Sequence, residues 1–277
     1  MLELKNVMKH YGWDRNRYQA IADKTGLPSA PGDAAGLRGW GKRTYSPALD
    51  KISLTFAPGE IVGLFGENGA GKTTLFKCIL RYTEYRGEIT LDGEAITHRN
   101  IAQISYGSNS NTFFAHLNLL EHRDFYVLNF PSFNESRFNL LVDFFRLPAR
   151  KKLREMSQGQ KNQAETILAL SQGAAYILLD EPFANNDIFN REDFYKVLLG
   201  LLQPDECLIL ASHLIDELKN FVSRVVLLQE GKLLADKTTE ALDQEGIELI
   251  PWMKQLYSYE NRAAKFIEKA EREQNEE

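Results

Sequence analysis

Cysteine is scarce in this chain: Cys78 and Cys207 are the two among 277 residues. Both lie inside apolar segments, so they make neither a metal-ligand cluster nor a disulfide framework and read as buried small hydrophobes. Long hydrophobic runs are missing as well. Nowhere do about 18 apolar residues follow one another, the length a spanning helix needs, and the Met1 start lacks a basic stretch leading into an apolar signal core. The expectation is a cytosolic chain. An excess of positive charge is also absent: 33 Lys and Arg against 38 Asp and Glu leave a formal net charge of −5. No global field draws in nucleic acid, and direct nucleic-acid binding is not expected.

What is present is a core. Hydrophobic residues make up 43% of the chain, enough for one large α/β domain or a main domain with a smaller lobe. Residues 2–7 and 52–56 alternate as strands. Pro58-Gly59 makes a turn before the apolar strand 60–65, which runs straight into a glycine-rich stretch. A helix follows from near Lys72, with Leu75, Phe76, Ile79 and Leu80 on its inward face. Residues 87–91, ending at Asp92-Gly93, read as strand and turn of an antiparallel layer. From about 117 to 147 the periodicity is helical. Strands at 176–180, 207–211 and 224–229, with helices at 160–171, 190–202 and about 214–221, then predict a largely parallel sheet.

Two stretches stand apart. Residues 12–45 are rich in glycine and proline and read as an irregular excursion. In 252–277, Leu256, Tyr257, Ala264 and Ile267 supply part of a helical stripe before a polar end.

The chemistry sits in two segments. In Gly66-Glu67-Asn68-Gly69-Ala70-Gly71-Lys72-Thr73-Thr74, Gly69 and Gly71 allow a tight loop whose N–H groups face phosphates, and the next helix supplies its positive end. Lys72 brings a mobile charge for the β- and γ-phosphates. Thr73 places a hydroxyl on Mg²⁺, while Thr74 supports the loop. In Tyr176-Ile177-Leu178-Leu179-Asp180-Glu181-Pro182, Asp180 ends an apolar strand, where a carboxylate is costly unless aimed at solvent or metal. It is assigned to Mg²⁺ through an ordered water, and Glu181 to positioning the attacking water.

With these motifs in place, the chain resembles the ATP-binding cassette family, especially the nucleotide-binding subunits of transporters. The fold implied is α/β: a P-loop NTPase core with a mostly parallel sheet, an antiparallel β layer and a small helical subdomain. The resemblance implies a cassette over 1–235, with the excursion at 12–45 inserted and a helical subdomain at about 108–165, followed by a C-terminal helical extension at 236–277. Met156-Ser157-Gln158-Gly159-Gln160 resembles the family's signature, so Ser157 and Gly159 would contact the γ-phosphate held by an opposite subunit. Read from the residues alone, Ser157 is equally a helix cap. Asp187 matches an aspartate that crosses the dimer interface, and its rival role is also a cap. His213 matches the switch histidine at the γ-phosphate, and a structural strand-end histidine is its alternative.

Tyr11 takes the aromatic position that stacks on adenine, with an ordinary packing role as the alternative and Tyr18 or Trp40 as competitors. Asn109 stands where the family has a metal-sensing glutamine, with an ordinary Asn/Ser turn across 108–111 as the alternative. Gln158 replaces the first glycine of the signature pair, and Asn185-Asn186 replaces Gly-Leu before Asp187. By resemblance the chain uses ATP and Mg²⁺, pairs as a homodimer or heterodimer of cassettes, and powers a separate membrane-spanning permease from the cytoplasmic side of the membrane. The short helical lobe is similar to that of compact bacterial exporters. A soluble switch acting on protein or nucleic acid, and a weakly active regulatory cassette, are the alternatives.

Overall fold

The computed structural model describes residues 1–11, 47–108, 113–182, 191–213 and 218–257. Two sheets organise them. β1 (Leu2–Lys9), β2 (Leu49–Phe56), β4 (Arg86–Leu91) and the short β5 (Glu94–Ala95) form an antiparallel sheet in the order β2-β1-β4-β5. The main sheet has the order β10-β9-β3-β8-β7-β6. It comprises β3 (Ile61–Phe65), β6 (Ile104–Gly107), β7 (Tyr176–Asp180), β8 (Cys207–Ser212), β9 (Arg224–Gln229) and β10 (Lys232–Thr238). All its pairings are parallel except β9 with β10. β7 and β8 are buried along their whole length, which is why they read as unbroken apolar runs rather than alternating ones.

The helices divide between the faces of this sheet. α1 (Lys72–Ile79) packs with the antiparallel sheet over Leu178, Ile209 and Ala211. On the other face Ile177, Leu179, Leu208 and Leu210 meet the buried residues of α4 (Gln158–Ser171), α5 (Arg191–Leu201) and α7 (Leu249–Leu256). Successive residues of β7 and β8 thus serve opposite layers. α2 (Leu119–Asn129) and α3 (Glu135–Phe145) extend the second layer, and α6 (Thr239–Gln244) follows β10. Arg137 of α3 is buried and makes a bidentate pair with Glu206, Nη1 to Oε1 at 2.8 Å and Nη2 to Oε2 at 2.9 Å. Its guanidinium also donates to the carbonyls of Leu170 and Leu201, so the charge is fully partnered and α3 is fixed to the layer.

The expected strands form with shifted ends, as do the helices from Lys72, within 117–147, at 160–171 and at 190–202, while half of the helix expected at about 214–221 lies outside the described residues. β1 continues to Lys9 and β2 starts at Leu49, while α4 starts at Gln158 rather than 160. Both cysteines are buried and free, and burial raises the Cys78 thiol to about 11 and Cys207 to about 12. β10 was not foreseen, and the expected division at 235/236 falls inside it; α6 lies within the expected helical extension. The excursion at 12–45 and most of the C-terminal stripe lie outside the described residues.

Candidate functional site

Four neighbouring strands, β3, β8, β7 and β6, deliver the site residues at their carboxyl ends, where parallel sheets present ligands. The glycine-rich loop leaves β3 and enters α1. Gly69 and Gly71 adopt φ of +87° and +113°, and a Cβ on Gly71 would lie 2.7 Å from the carbonyl oxygen of Ala48. Glycine is required there by both backbone and space. Gly71 caps α1 with no side-chain bond to its first turn, leaving the leading N–H groups for an anion.

Lys72 is buried, and its Nζ donates to the carbonyls of Gly66 at 2.6 Å and Glu67 at 3.4 Å. Burial lowers its pKa, with the nearby Glu181 and Asp180 carboxylates acting in the opposite direction. Its ammonium also stands 3.7 Å from Glu181 Oε1. Glu181 has φ of +49°, a conformation a side-chain-bearing residue takes at some cost. Its N–H is held by the carbonyl of Ala211 at 2.9 Å, and its carboxylate receives His213 Nδ1 at 2.9 and 3.0 Å. β7 and β8 therefore bring Glu181 and His213 together, and the loop adds Lys72.

Asp180 is 4% exposed, and its Oδ1 has no hydrogen-bond partner among the described residues. Burial raises its pKa, while the Thr73 hydroxyl and the Tyr106 hydroxyl, at 3.3 Å from Oδ2, favour the charged form. A buried carboxyl with an open oxygen beside a threonine hydroxyl suits Mg²⁺, a hard cation that keeps several waters and takes one or two protein oxygens together with phosphates. No cluster of three or more His, Cys, Asp or Glu able to hold a metal occurs among the described residues. Thr73 and Asp180 fit the ion.

Ser157 does not join this group through its present hydrogen bonds. It is exposed and caps α4: its Oγ accepts from Gln160 N–H at 3.2 Å, and Gln160 Oε1 accepts from Ser157 N–H at 3.1 Å. The cap reading of Ser157 is thus realised within the chain. Gly159 lies in the first turn of the same helix, and Gln158 bonds Asn162 at 2.9 Å. Tyr11 is half exposed beyond the end of β1, with Lys9 Nζ 4.9 Å from its ring centroid. Gly66, Asn68, Ala70 and Thr74 take their expected places in the loop and first turn of α1. Asn109 and Asp187 lie outside the described residues.

Sequence reasoning missed two contributions. Tyr106 reaches Asp180, as noted, from the neighbouring strand. Met253, Lys254 and Tyr257 from α7 and its end join Gly66, Glu67, Asn68 and His213 around a cleft of about 430 Å³. The Tyr257 hydroxyl, raised to about 12 by burial, donates to the carbonyl of Leu228 at 3.2 Å. Nothing in the helical stripe at 252–277 indicated that it would line the phosphate loop.

The sequence model of the family described as ABC transporter matches residues 49–184. This segment, just under half of the chain, carries the resemblance to that family. The cassette is 30% identical over 188 residues to the ABC transporter ATP-binding protein YtrB of Bacillus subtilis, covering 66% of this chain and 64% of that protein. It is 30% identical to the Fe(3+) ions import ATP-binding protein FbpC 2 of Pectobacterium atrosepticum, over 61% of this chain and 52% of the relative. The alignments thus span less than two thirds of these relatives' own length. A solved ATP-binding subunit of an ABC transporter shares the cassette fold with a TM-score of 0.71 and 20% identity, covering 94% of this chain and 98% of that one. No helix among the described residues is long and apolar enough to cross a membrane.

Proposed function

We propose that this cassette binds ATP with Mg²⁺, hydrolyses it, and uses the cycle to power transport through a separate membrane-spanning permease. The observation that carries the reading is the convergence of Lys72, Glu181 and His213, with Nζ to Oε1 at 3.7 Å and Nδ1 to Oε1 at 2.9 Å. Lys72 and the open N–H groups of α1 hold the phosphates, and Thr73 and Asp180 hold the ion. Mg²⁺, when bound, neutralises charge on the β- and γ-phosphates. Glu181 orients the water for in-line attack, and His213 fixes the Glu181 carboxylate and reaches toward the γ-phosphate. Transfer needs alignment and charge stabilisation more than covalent chemistry, which suits fixed groups at strand ends.

The active unit in this reading is a pair of cassettes, homodimeric or heterodimeric, with Ser157 and Gly159 of each facing the nucleotide of the other. Ser157 leaves its cap to do so, and Asp187 crosses between the subunits. Tyr11 stacks on adenine, and Asn109 senses the ion. The domain division keeps the cassette over 1–235, with the insertion at 12–45, a helical subdomain at about 108–165 and an extension at 236–277. The pair sits peripherally at the cytoplasmic face, held by the permease. Export rests on the compact helical layer alone, and relatives named for iron and manganese import share the cassette, so the direction is the finer part of the proposal. Uptake against efflux in oppositely oriented vesicles, assayed with the co-purified permease, decides it.

Glu181→Gln tests the core of the reading. Turnover is expected to fall by about 10²- to 10³-fold with ATP binding retained and the ATP-bound pair accumulating in size-exclusion chromatography. A Glu181→Gln protein that stays monomeric and hydrolyses ATP normally would sink it.

A further inference from the structure

The strand that seats the phosphate loop also holds the end of α7. β9 runs parallel beside β3, with Phe65 opposite Leu227, so the next residue along, Leu228, comes level with Gly66. A Cβ on Gly66 would lie 2.6 Å from the Leu228 carbonyl oxygen; the loop leaves β3 resting on that carbonyl. The turn after β9 adds a second support, Gly231 N–H donating to the Ala70 carbonyl at 3.0 Å. The same Leu228 carbonyl accepts the Tyr257 hydroxyl at 3.2 Å. α7 is thus tied to the residue on which the phosphate loop sits.

Met253 and Tyr257, four residues apart, are both buried, and Tyr257 N–H bonds the Met253 carbonyl at 3.0 Å. The ring and the last turn of the helix are therefore held as one piece. Lys254 follows Met253 about 100° further round the helix and is exposed. It lines the cleft of about 430 Å³ together with Glu67, Asn68 and His213. His213 also holds the Glu181 carboxylate, so this cleft opens on the side of the loop where a terminal phosphate meets the water-positioning pair. The charge balance there is short of cations. Glu67 stands in the cleft wall, and Asp180 and Glu181 end β7, while Lys72 is already drawn to Glu181 at 3.7 Å. A lysine on a flexible four-carbon stem at the cleft can offset a further anionic group.

We propose that α7 belongs to the nucleotide site: tied through Tyr257 to the strand beneath Gly66, it presents Lys254 to the terminal phosphate of ATP. Lys254 is then a binding residue that separates ATP from ADP, and Tyr257 is a positioning residue that acts through α7. Both lie outside the segment that matches the family model, 49–184. The inference rests on the phosphate loop being the nucleotide site, and it adds to that site a ligand from beyond the known motifs.

The test uses the full chain with Mg²⁺, at a concentration where its mass is that of a monomer. Calorimetry compares ADP with adenylyl imidodiphosphate, which carries a terminal phosphate and is not hydrolysed. Lys254→Gln weakens binding of the analogue by about 5-fold, the scale of one exposed ionic contact, and leaves ADP affinity at the parent value. Lys254→Arg restores the preference for the analogue. Tyr257→Phe keeps the ring but frees α7 from Leu228, so in that background Lys254→Gln costs only about 2-fold. Such non-additivity marks two residues that act through one helix.

A Lys254→Gln protein with parental affinity for both nucleotides overturns the proposal. Equal weakening of ADP and analogue overturns it too, because Lys254 then supports the loop and not the terminal phosphate. An undiminished 5-fold effect of Lys254→Gln in the Tyr257→Phe background overturns the anchoring of Lys254 through Leu228. In each of these cases the parent still binds nucleotide and the proposed function stands. A parent that binds neither nucleotide defeats the proposed function and this inference together.

Discussion

The starts of α1 and α4 are both glycine-containing turns that read as anion sites, yet they are finished in opposite ways. α1 follows Gly71, in a left-handed conformation with no side-chain cap, so its leading N–H groups are left for a phosphate. α4 follows Ser157, which closes a capping box with Gln160 and so satisfies the Gln160 N–H and its own internally. One helix start is left to be completed by a ligand, whereas the other is closed in part by its own side chains. For Ser157 to reach a nucleotide its cap must be exchanged for a new contact, at an energy comparable with that of the cap, about 1 kcal/mol. This difference suits a division in which α1 holds nucleotide within the chain and α4 engages it only when a second cassette closes.

The largest break in that comparison is Lys72→Ala. Lys72 is the buried cation between two backbone carbonyls and Glu181, and its removal leaves Glu181 and Asp180 as like charges facing incoming phosphate. ATP affinity measured by calorimetry on the isolated chain is expected to fall by about 100-fold, the scale of one or two hydrogen bonds to charged groups. Equal affinity in parent and variant would mean that the loop at α1 is not the nucleotide site.

Ser157→Ala probes the other helix start at a smaller scale. Loss of the cap is expected to lower unfolding stability by about 1 kcal/mol and to leave ATP affinity of the monomer unchanged. ATP-driven association of Glu181→Gln, by contrast, should disappear when Ser157→Ala is added. Sedimentation velocity reads the second effect and denaturant titration the first. A variant that loses stability yet pairs normally would make Ser157 a cap and nothing more, the plain reading that the residue type always allowed.

That ambiguity shows how far the sequence could be read. Gly66 to Thr74, Asp180 and Glu181 were legible because phosphate chemistry needs particular residue types at fixed spacing, and the apolar runs at 61–65 and 176–180 set them at strand ends. Pairing of β7 with β8, which brings His213 to Glu181, is a long-range contact with no local signature; the resemblance supplied the residue and the sheet order supplied the neighbour. Tyr106 carried no signal, since a tyrosine in a half-buried strand has an ordinary packing explanation. Glu165 was invisible for the opposite reason. A single carboxyl in a helical run reads as solvated, and only the close approach of α4 to the end of β6 buries it on Ser108.

The smallest expected effect concerns the helical layer that α4 shares with α2. His122 is buried with both ring nitrogens used: Nε2 accepts from Phe114 N–H at 3.1 Å, and Nδ1 faces the carbonyl of Asn118 at 2.8 Å. Those two bonds define a neutral ring with its proton on Nδ1, and burial accordingly lowers the His122 pKa. Folding favours the uncharged form, so the stability this residue contributes is full above the unfolded imidazole value, about 6.5, and is lost as pH falls through the depressed folded value. Amide exchange in residues 119–129 should therefore speed up modestly between pH 7 and pH 5, after correction for intrinsic rates, while residues 72–79 show no matching change. His122→Gln should flatten the α2 response. A response of the same size in α1 and α2 would show that the two layers open together, and that the contrast between their helix starts does not extend to the layers that carry them.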